Sequence, residues 1–141
     1  MTELVCRLLF APTLMVAFAT LVKGYAEAGD GFAAGVIAGL AFLMQYVAFG
    51  ERRVRRVLHT RFAPGVAVLG LAVALGVTFQ PLLRGLPMLT HWPPPDAAVI
   101  RLGRVELITA FVFDIAVFLL VVGFAVTGLT LVARAEARDA P

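Results

Sequence analysis

Polar and apolar positions divide the chain into four long apolar runs joined by polar connections. A helix needs about 20 mostly apolar residues to cross the hydrocarbon core of a bilayer, and each run with its flanks meets that length. The runs lack the strict alternation of a barrel strand, so their backbone groups must bond within each segment. The pattern therefore predicts four transmembrane helices. Their approximate bounds are 4–22, 31–50, 65–83 and 105–133.

Composition limits what else the chain contains. Its 141 residues are 61% apolar and 15% charged, and the mean hydropathy is +0.95. Four spans use roughly 80 residues, which predicts one all-α integral membrane domain over 1–141 and leaves no room for a soluble catalytic domain. The sequence has no phosphate-binding loop, no nucleophile-and-base motif and no metal-ligand spacing around its lone cysteine, Cys6. We expect neither an enzyme nor a bound cofactor or metal.

The first run leaves an alternative open. Arg7, an apolar stretch and the small pair Ala26 and Ala28 resemble a secretory signal with a cleavage site, and cleavage would leave three helices. Glu3 offsets the single basic residue of the leader, and polar residues interrupt the run before the site. These features favour a retained first helix.

Basic residues predict the membrane topology. The connection 51–64 holds five arginines, whereas the connection after the first run holds one lysine and two acids. The positive-inside rule therefore places 51–64 and both termini in the cytoplasm and the connection 84–104 outside. Topology accounts for the net charge of +3 without nucleic acid as a partner. An amphipathic helix on anionic lipid is the alternative for this basic segment. Its arginines are Arg52, Arg53, Arg55, Arg56 and Arg61.

The second run begins with small residues at regular spacing. Gly31, Gly35 and Gly39 recur every four residues and so form one groove along a helix. Helices associate in lipid by close packing, and such grooves receive a neighbouring helix. The neighbour is either another helix of this chain or a different subunit, and the spacing does not distinguish the two.

Asp114 is the one acidic residue well inside an apolar run. Ionisable groups at such positions are costly and often mark ion or proton paths. Glu106 and Asp114 lie eight residues apart and so share a face of the predicted fourth helix, with Thr109 beside it, and they form a polar stripe from the outer surface. The stripe is either part of a cation path or a hydrogen bond between subunits. The sequence leaves its depth in the membrane open.

Several short stretches, in the order in which they occur along nearly the whole chain, resemble those of a known family. Arg7 and Pro12 lie on the first run, and the other stretches are 29–35 (GDGFAAG), 48–50 (AFG), 85–90 (GLPMLT) and 106–118 (ELITAFVFDIAVF). Together they resemble the B subunit of the multi-subunit Na+/H+ antiporter, a bacterial complex of the Mrp or Mnh type. That family usually has Pro-Gly-Gly-Gly-Phe before the second helix, and this chain has Asp30 within the corresponding turn.

The resemblance implies an accessory membrane subunit of a hetero-oligomeric cation/proton antiporter in the bacterial cytoplasmic membrane. Its partners would be other integral membrane subunits and the lipid bilayer, with Na+ and H+ as the transported ions. It assigns Glu106, Thr109 and Asp114 to the family's fourth-helix motif. Two alternatives remain: a purely structural scaffold subunit, including one of a related membrane-bound redox complex, and a small homodimeric proton-coupled transporter.

Overall fold

A computed structural model describes residues 2–24, 29–85, 101–102, 105–106 and 109–139. This part of the chain is helical except for a two-residue antiparallel pairing of Arg101–Leu102 with Val105–Glu106. Short 3-10 turns occupy Thr60–Phe62 and Leu82–Arg84. The α-helices are α1 (Thr2–Lys23), α2 (Asp30–Phe49), α3 (Glu51–Leu58), α4 (Ala63–Phe79) and α5 (Thr109–Asp139).

Four of these helices are long and apolar enough to cross a membrane, which confirms the predicted number of spans. They are α1, α2, α4 with the turn that precedes it, and α5. The chain is therefore a multi-pass membrane protein. The fourth span has 28 residues, or about 42 Å of helix at 1.5 Å per residue, so it exceeds a hydrocarbon core of about 30 Å.

The observed ends of the helices differ from the expected ones by four residues or more in three places. The helix α4 ends at Phe79 rather than at 83, and the last helix differs at both ends. The last helix begins at Thr109 rather than at 105, because the backbone of Val105–Glu106 pairs with Arg101–Leu102. It also continues past 133 to Asp139, through a segment rich in the good helix formers Ala, Arg and Glu. Within the basic connection 51–64, Glu51–Leu58 is helical. Most of the outer connection 84–104 and the suspected cleavage site at Ala26 and Ala28 lie outside the described residues.

The spanning helices form a layer that is one helix thick. α1 packs against α2, α2 against α5 and α5 against α4, so the order across the layer is α1, α2, α5, α4. Helix α2 buries 39% of its apolar span and the edge helix α1 only 11%. Large apolar side chains remain exposed on all four helices, among them Met15, Val47, Val68 and Phe124. Both broad faces of the layer are therefore open to lipid or to other proteins.

Two glycines allow the chain to turn at the ends of α2. Gly29 precedes the helix with φ of 118°, and Gly50 follows it with φ of 74°. Both values lie in the left-handed region, where a side chain strains the backbone. Gly50 thus separates α2 from α3, and Gly29 directly precedes the first turn of α2, which contacts α5 at Gly31.

Candidate functional site

The carboxylate of Asp114 lies at the beginning of α2. Asp114 is buried, with 4% of its surface exposed, and its Oδ2 accepts a hydrogen bond from the backbone N–H of Gly29 at 3.0 Å. The first N–H groups of a helix have no partner within the helix, and its amino end carries a partial positive charge. Asp114 therefore caps α2 from another helix and satisfies its own buried acceptor at the same time.

Glycines allow this close approach. A Cβ atom on Gly31 would collide with the backbone carbonyl oxygen of Asp114, and one on Gly24 would lie 3.1 Å from Asp114 Oδ2. The first turn of α2 is thus pressed directly onto the backbone of α5. Any side chain at Gly31 must push the two helices apart, because backbone atoms cannot rotate aside.

A second carboxylate lies near the same turn. Asp30, the first residue of α2, has its Oδ2 3.9 Å from Lys23 Nζ at the end of α1. Lys23 is largely exposed, so the pair contributes little stability by itself. It does place a positive charge beside Asp30.

The expected polar stripe on the fourth helix is not continuous. Glu106 belongs to the short antiparallel pairing rather than to α5, so it does not share a helix face with Asp114, and that prediction was wrong. Thr109 is the first residue of α5 and is half-buried. Asp114 lies within α5 and accepts a hydrogen bond from Gly29 on α2.

The glycine groove of α2 receives α5 of the same chain. A Cβ on Gly35 would lie 2.8 Å from the Cβ of Val121, and a Cβ on Gly39 would lie 3.1 Å from the Cβ of Ala125. Together with Gly31 at Asp114, these residues face α5 along its length. The groove therefore receives a helix of the same chain, which is the first of the two alternatives that the spacing leaves open.

Sequence reasoning missed a second glycine contact, between α4 and α5. A Cβ on Gly123 would lie 2.5 Å from the backbone nitrogen of Ala67, and a Cβ on Gly70 would lie 2.5 Å from that of Leu120. The two glycines thus bring the helix backbones together reciprocally. A signal was present: small residues recur at helical spacing along α4, at Ala63, Ala67, Gly70 and Ala74.

Buried polar side chains tie the other end of the layer together, and these also went unnoticed in the sequence. The Tyr46 hydroxyl on α2 lies 2.7 Å from Thr130 Oγ1 on α5 and 3.3 Å from Thr60 Oγ1 before α4. Gln45 Nε2 donates to the backbone carbonyl of Cys6 on α1 at 2.7 Å. The only sequence signal was the presence of single polar residues within apolar runs.

Replacing Tyr46 with phenylalanine should lower the stability of the folded chain by about 1 kcal/mol, because hydrogen bonds within membrane proteins average somewhat under that value. Thermal unfolding of the purified chain in detergent measures the loss. Thr13→Val is the matched control, since Thr13 Oγ1 bonds only to Leu9 of its own helix. An equal loss in both variants would show that the hydroxyl cluster does not join the helices.

The arginines predicted to set topology gather around α3. Arg52, Arg53, Arg55, Arg56 and Arg61 are exposed, whereas Val54 on the same segment is buried at 3%. Glu51 Oε1 lies 3.7 Å from Arg55 and accepts a hydrogen bond from Arg134 Nε at 3.3 Å, which links α3 to α5. Arg53 stacks on the Phe49 ring at 5.0 Å and Arg61 on the Phe62 ring at 4.5 Å.

This end of the layer combines the start of α1, the whole of α3 and the last part of α5. Arg53 Nη1 lies 3.7 Å from Glu3 Oε2 on α1, and the Arg134 contact brings in α5. Within the described ranges, no group of three or more His, Cys, Asp or Glu residues comes together as a metal ion would require. The chemistry that the arrangement offers is a concentration of positive charge at one end of the helical layer and one buried, capped carboxylate.

Comparison with known proteins identifies relatives along most of the chain. The protein named as the B subunit of the Na(+)/H(+) antiporter in Alkalihalophilus pseudofirmus is 32% identical over 95% of this chain and 89% of its own length. Its namesake in Bacillus subtilis is 32% identical over 87% of this chain and 85% of its own length. The A/B subunit of a probable K(+)/H(+) antiporter from Rhizobium meliloti is 31% identical over 95% of this chain but 13% of its own length.

The family described as a domain related to the MnhB subunit of Na+/H+ antiporter matches residues 1–127. This match covers α1 to α4 and most of α5, so it includes both glycine contacts and the Asp114 cap. The chain belongs to the MnhB family.

Proposed function

We propose that this chain is an accessory membrane subunit of a hetero-oligomeric cation/proton antiporter, and that Na+ is the cation exchanged for H+. The observation that carries the proposal is the similarity to two proteins named as B subunits of Na+/H+ antiporters, over at least 85% of both partners in each comparison. Membership of an antiporter family favours transport over catalysis. Other integral membrane subunits are then its partners.

The one-helix layer supports an accessory role. A path for ions through a membrane must be surrounded by protein, because polar groups and unpaired charges are costly in hydrocarbon. A single layer of helices supplies a wall on one side only. Large apolar side chains on its faces, such as Met15 and Phe124, are suited to packing against helices of other subunits. The chain therefore contributes a rigid wall, while partner subunits complete the path.

Asp114 has two proposed parts in this function. The structural part is the cap on α2, and it is supported by the hydrogen bond to Gly29 and by the 4% exposure of Asp114. The second candidate is a place in the cation path, supported by the position of a carboxylate within the apolar span of α5. Glu106 and Thr109 remain in that second proposal only as residues near the outer end of α5.

We further propose that the basic end of the layer faces the cytoplasm of a bacterial cell, so that both termini lie inside. Eight basic residues then lie inside and four outside, as the positive-inside rule requires. Contacts of Arg53 with Glu3 and of Arg134 with Glu51 support the grouping, because they bring the start of α1, α3 and the end of α5 to one side.

Purification of the tagged chain from its own membranes should recover several other integral membrane subunits in fixed ratio. Vesicles from cells that lack the chain should lose cation-dependent proton exchange, and the wild-type chain should restore it. Both Na+ and K+ need to be supplied, because relatives named for either cation are about equally similar.

Two outcomes would contradict the proposal. Cation exchange by the purified chain alone in liposomes would support the homodimeric transporter. Co-purification with redox subunits and without any other antiporter component would support a scaffold role in a redox complex.

A further inference from the structure

A cavity of about 230 Å³ opens between α1, α2 and α3 at the basic end of the layer. Two arginines, Arg7 from α1 and Arg53 from α3, supply its positive charge. The remainder of its lining is mainly apolar and includes Phe10, Val54 and Leu58. Positive charge joined to apolar surface in one cavity matches a ligand that carries an anionic group and a hydrocarbon chain.

The arginines are arranged to bind an anion. The Arg53 guanidinium lies over the Phe49 ring at 5.0 Å, and its acidic neighbour Glu3 lies 3.7 Å away. Both partners of that ion pair are more than half exposed, so the pair is weak and a phosphate can replace it. Arg7 makes no ion pair with any residue in the described ranges. A guanidinium binds phosphate through two parallel hydrogen bonds, which lysine cannot do.

The cavity lies at the depth where lipid headgroups are found. Phe49 ends α2, and the hydrogen bond from Gln45 to Cys6 places Arg7 level with the last turn of that span. Phe10 lies nearly one turn deeper and packs edge-on against Phe42, with ring centroids 5.6 Å apart. A phosphate at the two arginines therefore has apolar surface directly below it, where an acyl chain runs toward the hydrocarbon.

We propose that this cavity is a binding site for an anionic phospholipid. Arg7 and Arg53 hold the phosphate, and Phe10, Val54 and Leu58 contact the first part of an acyl chain. The lipid would fasten the edge helix α1 to α3 at the membrane surface, where few direct contacts join them. The apolar lining favours a lipid over a soluble phosphate, and the position inside a crevice of this chain favours it over an acidic segment of another protein. The site does not depend on the antiporter assignment.

The test uses the full chain purified in a non-ionic detergent and titrated with phosphatidylglycerol or phosphatidylcholine, with bound lipid counted by native mass spectrometry. We expect phosphatidylglycerol to bind roughly tenfold more tightly than phosphatidylcholine, because it carries a net negative charge, whereas the choline cation of phosphatidylcholine is repelled by the two arginines. The variant R7Q/R53Q should lose that preference. The matched control R52Q/R56Q removes the same charge from residues outside this cavity and should keep the preference.

Several results would overturn the proposal. Equal losses in the two double variants would mean diffuse attraction to a basic surface, and an unchanged preference in R7Q/R53Q would place the lipid elsewhere. Displacement of the lipid by millimolar inorganic phosphate would indicate a site for a soluble anion. Cross-linking of an acidic segment from another subunit to this cavity in the native complex would identify a protein occupant. If R7Q/R53Q folds poorly, the single variants R7Q and R53Q serve, and each should weaken binding roughly threefold.

Discussion

Replacing Gly123 with leucine should separate α4 from α5 and greatly reduce the amount of folded chain in the membrane. A Cβ at this position would lie 2.5 Å from the backbone nitrogen of Ala67 and 2.7 Å from the carbonyl oxygen of Ala63. Backbone atoms of a helix cannot move aside individually, so the whole of α4 must shift. Overpacking of a close contact costs about 3 kcal/mol or more in severe cases, which corresponds to a fall of at least roughly a hundredfold in the folded-to-unfolded ratio.

The measurement is the amount of monodisperse chain recovered in mild detergent, together with its midpoint of thermal unfolding. Gly128→Leu is the matched control on the same helix, since a Cβ there meets nothing within 4 Å, and Gly76→Leu is the equivalent control on α4. All three variants add the same apolar side chain and remove a glycine. Equal recovery of Gly123→Leu and Gly128→Leu would mean that the close contact between α4 and α5 does not stabilise the fold.

The number and placement of the spans could be predicted from the sequence because lipid leaves the backbone few choices. An apolar run near 20 residues long must become a helix, whatever its neighbours are. This constraint does not apply to the ends of the helices. Outside the hydrocarbon the backbone has alternatives, and Val105–Glu106 uses one of them by pairing with Arg101–Leu102. A boundary set by such a pairing does not follow from hydropathy.

The order of the helices could not be predicted, because a groove of small residues does not identify its partner. The row at Gly31, Gly35 and Gly39 predicts a packing surface, yet its occupant is α5, which is separated from α2 in the sequence by α3 and α4. Sequence reasoning missed the contact at Gly70, although Ala63, Ala67 and Ala74 lie at helical spacing on the same face of α4. Its small residues are mainly alanines, which are common in any apolar helix and so gave a weaker signal.

The partner of Asp114 was equally hidden from the sequence. Local spacing suggested a stripe with Glu106, whereas the acceptor is used by the N–H of Gly29, 85 residues away. A long-range cap of this kind requires the close approach of α2 and α5, and that approach depends on Gly31. Asp114 on the last helix and Gly29 in the turn before the second helix are thus two halves of one structural contact.

Replacing Asp114 with leucine should therefore destabilise the chain even when no transport takes place. The substitution removes the carboxylate that accepts the N–H of Gly29 at the start of α2, and because Gly29 itself is exposed we expect the net loss of one hydrogen bond, about 1 kcal/mol. Asp114→Asn keeps the shape and an oxygen that can accept the same hydrogen bond, so it should fold nearly as well as the wild type. Thermal unfolding in detergent compares the two variants, and equal stability of Asp114→Leu and the wild type would contradict the capping role.

Asp114→Asn then separates the cap from a part in transport, because it removes the charge and retains the hydrogen bond. Assembly of the variant into the native complex is measured by co-purification, and cation/proton exchange is measured in vesicles. If the carboxylate acts only as the cap, we expect both to stay close to the wild-type values. Normal assembly with a loss of exchange would instead assign the charge of Asp114 to the cation path. Asp114 Oδ2 accepts the N–H of Gly29, and even a Cβ on Gly24 would approach this oxygen to 3.1 Å, so little room remains beside it. We therefore expect the first result.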